Sequence, residues 1–360
     1  MRRLTPSATV RGMGADQIEP GPERPSERDD GPERPSERGA GPERPSERGA
    51  GPERPSERAG PERPSERDDG PRVVALGGGH GLAATLQAVR RYASDICAIV
   101  SVADDGGSSG RLRAAFGIPP PGDLRRCLVA LADPASPWTT AFEYRFEGGG
   151  LEGHALGNLV IAGLAEATGD FEVALAEAGR VLGAAGRVVP ATREPVVLKG
   201  EVRGADGVTG RWVEGQVAVG QAGRVTGVSL VPADPQTPAA ALEALIQADQ
   251  VVLGPGSLFT SVLAVVVAPA IRQALATTTA RKVYVCNLRP QMPETEGFDV
   301  AAHVDALRAH GVEVDVVLCQ TGAMPRGQLD VPCIEQDVAR DDRLAHDPFR
   351  LAAALAHLVG

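Results

Sequence analysis

The chain of 360 residues carries 37 Lys and Arg against 47 Asp and Glu, a formal net charge of −10. That balance excludes a broadly basic nucleic-acid or anionic-membrane binder and leaves room only for a local basic pocket. The five cysteines (Cys97, Cys127, Cys286, Cys319, Cys333) are widely spaced without a C-x-x-C pair. A disulfide framework or zinc site is therefore not expected, and the thiols read as small core residues.

Residues 21–69 are five near-copies of GPERPSER joined by DD, GA or A. Such a repeat has no apolar residue to bury, so residues 1–71 are expected to be a disordered tail. Its charges alternate in sign, which does not make a basic arm. Residues 72–360 are long enough for a well-buried α/β core.

That core opens with RVVALGG, an apolar strand ending in glycines. LAATLQAVRRYA follows with Leu82, Leu86 and Val89 on one helical face, and then the buried strand ICAIVSV. Strand, helix, strand over about 30 residues is a βαβ unit, so a three-layer α/β fold with a parallel sheet is expected. Residues 122–133 and 157–184 read as further helices. From 188 to 231 the β-branched, glycine-punctuated pattern predicts a small antiparallel β insertion. The parallel pattern resumes with a helix over 239–247, strands DQVVLGPGS and KVYVCNL, a helix over 300–310, strand VEVDVVLC and a closing helix LAAALAHLV. No signal-peptide run opens the chain, and LFTSVLAVVVAPAI is too short to span a bilayer. A soluble, cytoplasmic protein without a membrane span is expected.

Four polar-glycine segments stand where strands end or helices begin, the edge at which doubly wound sheets bind ligands. In GGGHGL, residues 77–82, glycines allow close backbone approach and the next helix offers free N–H groups to phosphate. A tight turn without a ligand explains it as well. The third glycine of a dinucleotide fingerprint would fall on Leu82, which disfavours an NAD dehydrogenase. SVADDGGSSGRLR places Asp104 and Asp105, then Gly106, Gly107, Ser108 and Ser109, directly after the second strand. A carboxylate there suits a ribose hydroxyl or a metal, and the glycine–serine run suits phosphate oxygens. Two acids with two serines exceed what an Asx turn requires. GDLRR and GHALGN supply Asp123 as a helix cap, Arg125 and Arg126 as positive charge beside Arg113 of the preceding segment, and His154 and Asn158 as caps or ligand contacts. LGPGSLFTS adds Gly254, Gly256, Ser257, Thr260 and Ser261 at another strand end.

Taken in order, GGGHGL, VSVADDGGSSGRLR, PPGDLRRCLVALAD, GHALGNL, ADQVVLGPGSLFTSVL and NLRPQMPETEGF resemble the YvcK type, the gluconeogenesis factors. That type belongs to the wider CofD-like group of 2-phospho-L-lactate transferases. The resemblance covers about residues 73–315. It implies a Rossmann-like protein that binds UDP-sugars such as UDP-N-acetylglucosamine and serves cell shape, peptidoglycan synthesis and gluconeogenic growth. It places Gly78, Gly79, Gly81, Asn158, Gly254, Gly256 and Ser257 at the nucleotide, and the local reading adds His80, Gly106 to Ser109 and Arg113 as ligand-binding candidates. Asp104 and Asp105 fall on the acceptor side, catalytic if the protein is a transferase, with one of them a ligand for a divalent ion such as Mg. A homo-oligomer stays open. The chain departs from the family at His80, where Thr is common, at Arg126, where Asn is usual, and in the loop around Glu294 and Thr295.

Overall fold

A computed structural model of the chain describes residues 69–203 and 210–359. The repeat segment, up to residue 68, lies outside the described residues. The first half comprises β1 (Arg72–Gly77), α1 (Gly79–Val89), β2 (Asp95–Val100), α2 (Gly107–Phe116), α3 (Gly122–Leu131), α4 (Pro137–Glu143), α5 (Leu156–Thr168), α6 (Phe171–Leu182) and β3 (Arg187–Pro190). A small unit follows with β4 (Val197–Arg203), β5 (Gly210–Glu214), α7 (Gln216–Gln221) and β6 (Val225–Val231). The chain then forms α8 (Ala239–Gln247), β7 (Gln250–Leu253), a π-helical turn Leu258–Val262 running into α9 (Leu263–Val266), α10 (Pro269–Thr277) and β8 (Arg281–Val285). It closes with α11 (Val300–Ala309), β9 (Val316–Gln320), β10 (Cys333–Gln336) and α12 (Pro348–Ala356).

Seven strands make one parallel sheet in the order β10-β9-β8-β7-β1-β2-β3. Its central strands are continuous apolar runs because helices cover both faces. All four residues of β7 and all five of β9 are buried, and β1 and β2 expose only their first residue. Connections run outward from β1 through β2 to β3, and outward from β7 through β8 and β9 to β10. The order therefore reverses between β1 and β7, and a crevice opens at their carboxyl ends.

The insertion expected over 188–231 begins later than its composition suggests. β3 pairs in parallel with β2, Val188 against Ala98, and so forms the edge of the large sheet. Only β4, β5 and β6 make the antiparallel sheet, in the order β5-β4-β6. A short Val-Val-Pro strand looks the same locally in either setting, and its partner lies some ninety positions upstream. In β4 the alternation was readable, since Leu198, Gly200 and Val202 face inward and are buried. His310 ties this sheet to α11: its Nε2 accepts from Val228 N at 3.0 Å, and its Nδ1 lies 2.7 Å from the Ala306 carbonyl. The accepting Nε2 makes Nδ1 the protonated nitrogen of a neutral ring.

Among the described residues no single helix is long and apolar enough to cross a membrane. The apolar Leu258–Val266 segment and α10 meet at 77°, and Leu258 through Val266 are buried.

Candidate functional site

The loops after β2 and β7, with the starts of α2, α3 and α7, bound a cleft of about 510 Å³. It is lined by Asp104, Gly106, Gly107, Ser108, Ser109, Asn158 and Ser257 among the residues singled out from sequence. The glycine–serine run that reads as a loop is the first turn of α2. Gly107 starts it with φ +49°, a left-handed backbone that favours glycine.

The N-terminus of α2 is open. Its cap residue Gly106 offers no side chain and its first turn holds no acid. The N–H groups of Gly107, Ser108 and Ser109 have no backbone or side-chain partner among the described residues. Asp104 Oδ1 accepts from Gly106 N at 2.9 Å, which fixes the turn that aims them. Three free donors at a positive helix end are suited to a phosphate.

The Ser108 hydroxyl is oriented by hydrogen-bond polarity. Arg125 Nε, which can only donate, donates to Asn158 Oδ1 at 3.0 Å, so the Asn158 amide must donate to Ser108 Oγ, also 3.0 Å. On the other side Arg111 Nε donates to His154 Nε2 at 3.1 Å, so the proton sits on Nδ1, 3.0 Å from Ser108 Oγ. Burial and then Arg111 push the His154 pKa down, favouring this neutral ring. Ser108 Oγ thus accepts twice and has its own O–H left to donate. The same polarity denies His154 a lone pair toward Ser108, so the pair is not an activated nucleophile. Ser109 is buried, lines the cleft, and its Oγ has no partner among the described residues.

The other two helix starts at this edge are capped from within. Asp123 Oδ2 accepts from Gly79 N at 2.8 Å and its Oδ1 accepts from Arg126 Nη1 at 2.5 Å. Burial raises the Asp123 pKa, and the Arg126 charge only partly offsets it. Glu294 Oε1 accepts from Phe259 N at 2.7 Å and Thr260 N at 3.3 Å, and its Oε2 accepts from Thr260 Oγ1 at 3.1 Å. The departures at Arg126 and Glu294 are therefore parts of the cleft wall.

The remaining sequence candidates are placed elsewhere. Gly78 lies under Asp123 and Ser261. His80, Gly81 and Gly256 line a separate hollow of about 340 Å³. The Gly254 carbonyl accepts from Thr85 Oγ1 at 2.7 Å and its N–H donates to Leu76 O. Asp105 Oδ1 accepts from Val217 N at 3.1 Å in the first turn of α7, and Asp105 does not line the cleft. Arg113 sits in the last turn of α2, outside the lining. Reasoning from sequence missed Arg145, Gln216, Gln291 and the cleft-facing role of Asp123. Gln216 comes from the small sheet unit and donates to the Thr260 carbonyl at 2.8 Å, a meeting no local pattern shows.

Among the described residues no group of three or more His, Cys, Asp and Glu is arranged to hold a metal ion. Asp104 and Asp123 both face the cleft, and they could supply one or two oxygens to a divalent ion whose other ligands come from phosphate. His346, on the rim of the smaller hollow, is buried and its pKa is pushed down to about 4 by desolvation. Its neutral form is the folded one, so its contribution is complete above its ordinary value of 6.5 and is lost as pH falls toward 4. Wild-type stability is expected to drop by about 3 kcal/mol over that window, with a shallower acid limb in His346→Gln by chemical denaturation.

An α/β sheet that reverses at β1 and β7, with a polar cleft at its carboxyl edge, places the protein in the doubly wound class. Comparison with known proteins makes it more particular. Residues 73–354 match the model of the 2-phospho-L-lactate transferase CofD family, and the chain belongs to that family. A Mycobacterium leprae relative is 44% identical over 304 residues, covering 79% of this chain and 84% of its own. The Bacillus subtilis gluconeogenesis factor is 41% identical over 241 residues, covering 66% of this chain and 74% of its own. The crystal structure of a UPF0052-family protein from Bacillus halodurans superposes with a TM-score of 0.73 at 38% identity, covering 79% of this chain and 97% of that one.

Proposed function

We propose that the protein is a cytoplasmic nucleotide-sugar-binding regulator of carbon and cell-wall metabolism, a gluconeogenesis factor whose ligand is UDP-N-acetylglucosamine or a close relative. Kinship with gluconeogenesis factors supports the carbon-metabolism setting, and a role in cell shape and peptidoglycan synthesis is part of the same proposal. The observation that carries the binding role is the open start of α2, with Ser108 polarised to donate. On this reading the diphosphate lies on the Gly107, Ser108 and Ser109 amides, because Asp123 already occupies the Gly79 N–H. Arg145, which lines the cleft, adds positive charge. Asp104 faces a ligand hydroxyl or a phosphate-bound divalent ion, while Asp105 holds α7.

Membership of the CofD family favours a second reading, a phospholactate-type transferase in which Asp104 positions the acceptor or metal. One titration series separates the two. The full chain is titrated with UDP-N-acetylglucosamine and with GDP, then assayed for transfer to a deazaflavin alcohol. Micromolar UDP-sugar binding without transfer is expected, with affinity at least tenfold weaker in Ser108→Ala, titrated well below a melting temperature that the lost acceptor for Asn158 and His154 should itself lower. Robust transfer would replace the regulator with the transferase, and unchanged affinity in Ser108→Ala would remove the Ser108 hydroxyl from the site.

A further inference from the structure

A second cavity of about 640 Å³ lies beside the cleft, walled by residues of α1 and α3. Arg125, Arg126, Arg145 and Arg340 line it against a single carboxylate, Glu143. In a chain of net charge −10 so lopsided a lining is a local reversal of sign. The guanidiniums are also under-used. Arg125 is buried and commits Nε to Asn158 and Nη1 to the Phe142 carbonyl, leaving Nη2 without a partner among the described residues. Among the described residues the Arg126 side chain bonds only Asp123, and the Arg145 side chain only the Gly153 carbonyl. Arg340 makes no side-chain hydrogen bond or ion pair among the described residues, and its charge helps to lower the Asp347 pKa. Burial, and then the charges of Arg126 and Arg145, pull the Arg125 pKa down to about 10. These cations crowd one another without enough internal anions to neutralise them.

We propose that this cavity is a second anion subsite, taking a small ligand with two or more negative charges, either a phosphate ester or a polycarboxylate. Forked guanidiniums with spare N–H groups suit both chemistries, since each presents paired oxygens. Arg126 and Arg145 also line the main cleft, so the two sites share a wall. Arg125 and Arg340 line this cavity and not the cleft, so the subsite is testable whatever the cleft binds.

The test uses calorimetric titration of the full chain with inorganic pyrophosphate and, separately, citrate at low ionic strength. Arg340 lines this cavity and not the cleft, and its exposed side chain makes Arg340→Gln safe for folding. Pyrophosphate or citrate should bind about tenfold more weakly to Arg340→Gln, and the loss should persist in a Ser108→Ala background. Arg187→Gln removes the same charge at the far end of the sheet, beside Asp95, and should leave binding unchanged. The stronger of the two probes identifies the ligand as phosphate-like or carboxylate-like. Equal affinity in Arg340→Gln and wild type, or equal losses in Arg340→Gln and Arg187→Gln, would overturn the subsite. So would complete loss of binding in Ser108→Ala alone, which would assign all anion binding to α2. Failure of UDP-sugar binding with a persistent Arg340 effect would refute the nucleotide-sugar reading and leave the subsite intact.

Discussion

Gly81→Ala is expected to cripple the fold rather than merely weaken ligand binding. A β-carbon at residue 81 would overlap the Pro255 carbonyl and stand 2.9 Å from Gly256 Cα. Both obstacles are backbone, in the loop that follows β7, so no side chain can swing aside. Overpacking of that kind costs about 3 kcal/mol or more, because the two strand-end loops at the sheet reversal must part. In a domain of this size the melting temperature should fall by roughly 6 °C or more. His80→Ala, next door and exposed, should melt like wild type. Wild-type melting of Gly81→Ala with lost ligand affinity would instead make residue 81 a ligand contact.

The second large effect concerns Glu294. Glu294→Ala strips the acceptor from two backbone N–H groups and the Thr260 hydroxyl in a buried site, at a cost of about 2–5 kcal/mol. Glu294→Gln keeps an oxygen for the N–H groups and should stay within about 1 kcal/mol of wild type. The pH dependence gives an independent check. Burial raises the Glu294 pKa more than its hydrogen bonds lower it, so the ionised form is the disfavoured one. Stability from Glu294 is complete below the unfolded carboxyl value and declines as pH rises through the folded one. Glu294→Gln cannot ionise, so denaturation on both sides of that range should show the decline removed. A Gln variant as unstable as Ala would show that the charge itself is required.

The sheet was legible in the sequence because buried parallel strands are written as unbroken apolar runs, as in Val73–Leu76 and Ile96–Val100. The glycine–serine segments were legible as strand ends for the same reason. Their division of labour was not. Gly79 and Phe259 look like free helix starts until Asp123 and Glu294, respectively 44 and 35 positions away, are seen to occupy them. Asp104 and Asp105 are adjacent and chemically alike, yet one faces the cleft and the other caps α7. The proton arrangement around Ser108 depends on Arg111 and Arg125, whose orientations only tertiary packing sets. β3 was misassigned for a related reason, since an edge strand carries its pairing partner nowhere in its own composition.

On the proposed function a nucleotide diphosphate is received by the start of α2 and not by the β1–α1 turn. A crystal structure of the full chain with UDP-N-acetylglucosamine tests it directly. Phosphate oxygens are expected within hydrogen-bonding distance of the Gly107, Ser108 and Ser109 amides and the Ser108 hydroxyl, with Asp123 still bonded to Gly79 N. Phosphate seated on the Gly79–Gly81 amides, with Asp123 displaced, would contradict it.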